Sequence, residues 1–296
     1  MKYLTTIDTV SLQIDTYDEV TRNFIVDGIL SLLHKNKLYI AQKDYPINLH
    51  SNFFIREYKI YSQGVVLASI RMGSFSMKNT LNNIVTTYYI AVEFAGLKRY
   101  HDQTDAITNK TLLGICAYLN SRNIFYKLTG LDISIDLHTK FENVLALCTK
   151  RSPKTSYYMA NEAQFYPTTY YIEKISEGNE DEVVQRSYLY DKSFKENLPY
   201  AITRFELKLE QKFFNKYRDT LVYSIAKTFK KYHVMYVPVK KERQYLMEQY
   251  DNHAILRDRD IKRIGFDNYR CHFDITVVNS FIVRIFSIKE QDLLSS

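Results

Sequence analysis

The stretch "RSYLYDKSFKENLPYAITRFELKLEQK" (Arg186–Lys212) decides how the chain is built. It reads as two strands, "RSYLYDK" and "ITRFELKLE", joined across a turn at "KENLPY". Side chains alternate across a strand. The second strand therefore turns Phe205, Leu207 and Leu209 to one side and Arg204, Glu206 and Lys208 to the other. In the first, Tyr188, Tyr190 and Lys192 share a side. Further upstream, "LDISID" (Leu131–Asp136) repeats the pattern, with Leu131, Ile133 and Ile135 opposed to Asp132, Ser134 and Asp136. If the three strands are neighbours on one core, their polar sides form one surface. It gathers carboxylates, tyrosine, lysine and arginine.

Such a set has a chemical use. Carboxylates held close together repel, and Mg²⁺ or Mn²⁺ relieves the repulsion through oxygen ligands. A metal there polarises a phosphodiester. A tyrosine hydroxyl beside it can attack phosphorus and form a covalent phosphotyrosine link, while Lys192 or Arg204 can steady phosphate charge. The same alternation also fits an ordinary antiparallel sheet with one solvated face and cross-strand ion pairs.

The rest of the chain limits the choices. Its 296 residues suffice for one large domain or two moderate ones. Only 8 Gly and 5 Pro argue against long flexible linkers. No apolar run approaches a membrane span, and "MKYLTTIDTV" is not a signal peptide, so a cytoplasmic protein is expected. Cys116, Cys148 and Cys271 lack metal-ligand spacing and read as buried free thiols. The net charge is +7. The part from Phe213 onward holds 15 Lys/Arg and 10 Asp/Glu, so it carries +5 of that excess and favours a polyanionic partner. The 26 tyrosines fit base stacking or simply a coding bias. No glycine-rich phosphate loop and no His-x-His pair occurs, which argues against an NTPase and against a paired-histidine metal site. His138, just after the aspartate strand, is a possible ligand or a strand-end histidine.

"IDTVSLQIDTY" reads as a strand and "DEVTRNFIVDGILSLLHKN" as a helix capped by Asp18 or Thr21, with Phe24, Ile25, Ile29, Leu30 and Leu33 at helical spacing. Aromatic and β-branched segments between Tyr39 and Phe75 suggest a meander. "TTYYIAVEFAGL" is a strand, "NKTLLGICAYLNSRN" a helix, and "YKLTGLDISIDLHT" a strand again. "SEGNEDEVVQ" reads as an acidic loop. A helix is expected from Phe213 to Tyr232, a shorter one at "KKERQYLMEQYDN", and a strand pair or buried segment at "DITVVNSFIVRIF".

The pieces "LTGLDISIDLH", "RSYLYDKSFKE" and "ITRFELKLEQKFFNKYRD", in that order, resemble the replication initiation factor family. These are rolling-circle initiators of small plasmids and some filamentous phages, with related relaxases of conjugative elements. The likeness is best from Tyr88 to Asp219. The strand–helix–strand order recurring over the first 140 residues, with this likeness, gives an expected α+β fold: one antiparallel sheet with helices on one face, in two ferredoxin-like or relaxase-like units, plus a helical C-terminal region. Residues 1–212 would form the nicking domain and 213–296 a basic region packed on it. The resemblance also implies a nicking and joining enzyme in which Tyr190 attacks origin DNA, leaving a 3′-hydroxyl and a 5′-phosphotyrosine. Asp132, Asp136 and Glu206 map to the metal site for Mg²⁺ or Mn²⁺, and Lys192 and Arg204 to basic positions. Tyr188 stands where relatives often have a basic residue, as a second nucleophile, a stacking residue or neither. Double- and single-stranded origin DNA, a homodimer and a host helicase are the implied partners, with no membrane. Lys216, Lys227, Lys230 and Lys231, with Lys262 and Arg263 of "RDRDIKRIG", are candidates for gripping DNA or else solvated charge. A non-catalytic DNA-binding protein on the same scaffold, or the relaxase of a conjugative element, is the alternative function.

Overall fold

The computed structural model describes residues 2–45, 54–78, 80, 83–148, 158–159, 169–172, 185–251 and 258–294. The chain forms an α+β fold with a large antiparallel sheet and helices, divided into two compact units. One unit comprises Asp8–Leu131 with Ser280–Ser296, the other Met1–Ile7 with Asp132–Asn279. The region from Phe213 onward thus contributes to both.

The elements of the first half of the chain are β1 (Tyr3–Thr16), α1 (Glu19–Lys35), β2 (Tyr39–Asp44), β3 (Phe54–Ser62), β4 (Val65–Lys78), β5 (Ile84–Ala95), α2 (Asp102–Ser121) and β6 (Lys127–Leu137). In the Asp8–Leu131 unit, β2, β3 and β4 form the expected meander, β5 pairs with β4, and β1 returns beside β5, with Leu12 opposite Val92 and Ile14 opposite Ile90. The order β4-β5-β1-β6 is that of a ferredoxin-like β-α-β-β-α-β motif, extended at one edge by β3 and β2. Val10, Leu12 and Ile14 of β1 alternate into the core with Ile70, Ile90, Val92 and Phe94. Helices α1 and α2 cover that core through Ile25, Ile29, Leu33, Leu112, Ile115 and Leu119. Asp18 caps α1, its carboxylate accepting from the Thr21 N–H at 2.7 Å. Phe24, placed on the apolar stripe by its spacing, points to solvent, and Val26 is buried instead.

After β6 come β7 (Val144–Cys148), β8 (Tyr158–Met159), β9 (Thr169–Tyr171), β10 (Gln185–Asp191), α3 (Lys192–Glu196), β11 (Thr203–Leu209), α4 (Gln211–Lys216), α5 (Leu221–Phe229), β12 (Tyr232–Tyr236), α6 (Lys240–Asp251), α7 (Asp258–Arg263), α8 (Ile275–Ser287) and α9 (Glu290–Leu294). In the unit containing Asp132–Asn279 the strand order is β6-β11-β10-β9-β8, with β7 and β12 paired separately. Ile133, Ile135, Leu189, Phe205, Leu207 and Leu209 form the apolar side of this sheet. Phe205 packs against Phe229 of α5 and Tyr232 of β12, with ring centroids 6.1 and 5.3 Å apart. A second cluster joins Leu145 and Leu147 to Met235, Val237, Leu246, Tyr250 and Ile261.

Three local expectations are corrected. The single helix over Phe213–Tyr232 is broken: Tyr217 and Thr220 leave helical backbone angles, a 3₁₀ turn intervenes, and the chain enters β12 at Tyr232. "DITVVNSFIVRIF" is a helix, α8, which Asp274 starts by accepting from the Thr276 N–H at 2.9 Å. Its β-branched residues suggest a strand, yet its buried residues Val278 and Ile285 are seven apart, two helical turns. The turn at "KENLPY" begins earlier, as the one-turn helix α3. The acidic loop "SEGNEDE" lies outside the described residues. All three cysteines are buried and none is in a disulfide among the described residues, and burial pushes the Cys116 and Cys271 thiols up to about 12.

Candidate active site

The three strands singled out in the sequence are neighbours, β6-β11-β10. Antiparallel pairing sets Tyr188 opposite Glu206 and Tyr190 opposite Arg204. Their polar sides share one face with Asp132, Ser134 and Asp136, as alternation requires. That face is not a solvated one. Ser134, Asp136 and Arg204 are fully buried, and Asp132, Tyr190 and Glu206 are each below 10% exposed. Charged side chains are rarely buried unless paired, and here the pairing is visible.

Arg204 grips Asp136 with a two-pronged fork, Nε to Oδ1 at 2.6 Å and Nη2 to Oδ2 at 2.8 Å. Thr6, at the start of β1, donates its hydroxyl to the same Oδ2 at 3.1 Å. The other guanidinium nitrogen lies 4.0 Å from Glu206 Oε2. Tyr190 donates its hydroxyl to that same Oε2 at 2.8 Å. Asp136, Arg204, Glu206 and Tyr190 thus form one buried chain of charge-assisted contacts. The Lys195 ammonium sits 5.0 Å from the centroid of the Tyr190 ring.

Tyr188 differs from its neighbour. It is half-buried, and its hydroxyl is held well above the usual phenol range, chiefly by burial, with the Glu206 and Asp132 charges adding to the rise and Arg186 opposing it. Lys192 leaves the strand face on which simple alternation places it. Asp191 ends β10 and caps α3 by accepting from the Phe194 N–H at 2.9 Å, so Lys192 opens the helix. Its buried ammonium donates to Glu196 at 3.0 Å. His138 follows β6, half-buried, its N–H bonded to the Lys2 carbonyl.

Among the described residues no group of three or more His, Cys, Asp or Glu is arranged to hold a metal. The donor chemistry nevertheless suits a hard cation. Asp132 and Glu206 supply carboxylates, and Ser134 Oγ, buried on the same face, has no hydrogen-bond partner among the described residues. Mg²⁺ commonly takes one or two carboxylates and completes its shell with water and substrate phosphate.

Of the basic candidates, Lys216, Lys227, Lys230, Lys262 and Arg263 are exposed and Lys231 is half-buried. They lie at the ends of α4, α5 and α7, outside the three strands of the buried face. Nothing in the sequence hints at Thr6, which lies 130 residues from its partner, or at Glu196 as the acceptor for Lys192.

No protein-family model matches the chain. No curated protein matches it either. Among solved structures it is similar to a rolling circle replication initiator protein from Geobacillus stearothermophilus, at 11% identity and a TM-score of 0.40, covering 86% of this chain and 98% of that one. No helix among the described residues is long and apolar enough to cross a membrane.

Proposed function

We propose that the protein nicks and rejoins DNA through a covalent 5′-phosphotyrosine, as an initiator of rolling-circle replication. The observation that carries this reading is the hydrogen bond from the Tyr190 hydroxyl to Glu206, inside a buried face that also holds Asp132 and Arg204. A nucleophile needs an adjacent base or a lowered pKa. Glu206 is placed to take the phenolic proton as the Tyr190 oxygen attacks phosphorus. The new bond joins that oxygen to phosphorus, the bond to the 3′-oxygen breaks, and the departing oxygen takes up a proton to become the 3′-hydroxyl. Reversal by a 3′-hydroxyl rejoins the strand. Burial holds the proton on Tyr188, and Tyr190, with Glu206 as its hydrogen-bond acceptor, is the proposed nucleophile.

Asp132 and Glu206, with Ser134 beside them, would hold Mg²⁺ or Mn²⁺. Such an ion polarises the phosphodiester and offsets the charge that develops on it. Arg204 acts differently. Clamped by Asp136, it fixes the position of Glu206 and offsets its charge. The exposed lysines of α4 and α5, with Lys262 and Arg263, are suited to duplex phosphates at the origin.

The test incubates the protein with supercoiled DNA of its own element and Mg²⁺ or Mn²⁺, and resolves products on denaturing gels. A protein–DNA adduct that persists in Tyr188→Phe and is lost in Tyr190→Phe is the expected outcome. Tight binding without a nick in either metal would instead identify a non-catalytic DNA-binding protein.

A further inference from the structure

The connection between β10 and β11 is short and firmly held. Lys192 N–H bonds the Ile202 carbonyl at 2.9 Å, the Ile202 N–H bonds the Ser193 hydroxyl at 2.8 Å, and the Leu198 N–H bonds the Ser193 carbonyl at 2.9 Å. Asn197 takes the left-handed conformation, φ 53°, that ends α3. These bonds hold the ends of the turn together and fix what it displays. Phe194 is 60% exposed and Tyr200 46% exposed. Between them Lys195 is exposed and reaches back over the Tyr190 ring. In sequence the two aromatics lie on either side of a cation that sits over the ring of the candidate nucleophile.

Exposed apolar residues are commonplace singly. Two aromatics on a rigid turn, bracketing a lysine at the edge of a catalytic face, form a different pattern. Aromatic faces with interleaved cations are what unpaired nucleotides use, since every base offers a π face and every linkage a negative charge. A base inside a duplex already has both faces stacked and cannot use them. We infer that the β10–β11 turn is a base-stacking clamp: Phe194 and Tyr200 stack on unpaired bases next to the linkage presented to Tyr190, and Lys195 takes up phosphate charge. Its placement beside the site rests on the nicking reading, but its affinity for single strands does not.

The probes are a fluorescein-labelled twelve-residue oligothymidylate and a random-sequence duplex of equal length, followed by fluorescence anisotropy. Phe194→Ala and Tyr200→Ala should each weaken single-strand binding by roughly 5- to 100-fold and leave duplex binding within about twofold. Phe194→Trp should retain the affinity, because it keeps a stacking face. Both positions are exposed, so thermal melting of the variants should match the parent. Unchanged single-strand affinity in both alanine variants overturns the clamp. The same occurs if Phe194→Leu binds as well as the parent, since bulk without a π face would then suffice. Adduct formation is scored separately on the parent protein: an adduct from the parent with single-strand binding unmoved in the variants sinks the clamp alone, and weakened binding in the variants with no adduct from the parent sinks the nicking reading alone.

Discussion

Asp136 shows how one residue can keep its place in a motif and acquire a different duty. The sequence placed it with Asp132 and Glu206 as a carboxylate for metal. In the fold both of its oxygens accept from Arg204 and one also accepts from Thr6, all out of water. Ion-pairing of this kind neutralises the carboxylate that a cation would seek. Removing one partner leaves an unpaired buried charge, which typically costs about 3–5 kcal/mol. Asp136→Asn is therefore expected to lower the urea midpoint strongly, because Arg204 keeps its charge and loses the matching fork. A midpoint within experimental error of the parent would show that the pair does not hold the face together. Alternation identified which side of the strand Asp136 occupies. It could not identify the partner, because Thr6 and Arg204 arrive from positions 130 and 68 residues away.

At the level of elements, strong local signals were legible and context-dependent ones were not. Strands β1, β5, β6, β10 and β11 and helices α1 and α2 declare themselves by apolar period and, for α1, by a capping aspartate. Strand β12 is five residues long with four buried in succession, so no alternation marks it. Helix α8 is composed of residues that favour strands, and its cap and two-turn spacing outweigh that preference. Within α1, Gly28 poses its own question, since glycine in a helix interior costs about 1 kcal/mol relative to alanine. The reason is the neighbouring helix: a Cβ on Gly28 would collide with the hydroxyl and ring of Tyr118. Gly28→Ala should therefore destabilise the protein by about 1–3 kcal/mol, the usual scale of overpacking, where propensity alone says the opposite. Thermal unfolding decides the sign. Combining it with Tyr118→Phe, which removes the closest atom, should recover part of the loss.

For the whole molecule, the net charge of +7 with +5 beyond Phe213 is a statement about partners rather than about fold. The sequence located this excess correctly but could not show which lysines face outward in a common direction, because that depends on how α4, α5 and β12 break the long helix it suggested. Lys227 and Lys230 are exposed and Lys231 half-buried at the end of α5, outside the three strands of the Tyr190 face. If they hold duplex phosphates, binding weakens with salt in proportion to the number of contacts, at about 0.9 per phosphate in the logarithmic slope. Replacing all three by alanine should then flatten the slope of log affinity against log salt by about 3 for duplex DNA, while the Phe194 and Tyr200 variants should leave that slope in place. A slope that does not change would mean that the three lysines only keep α5 hydrated. Any duplex binding that persisted would then rest elsewhere, with Lys262 and Arg263 of α7 the next residues to replace.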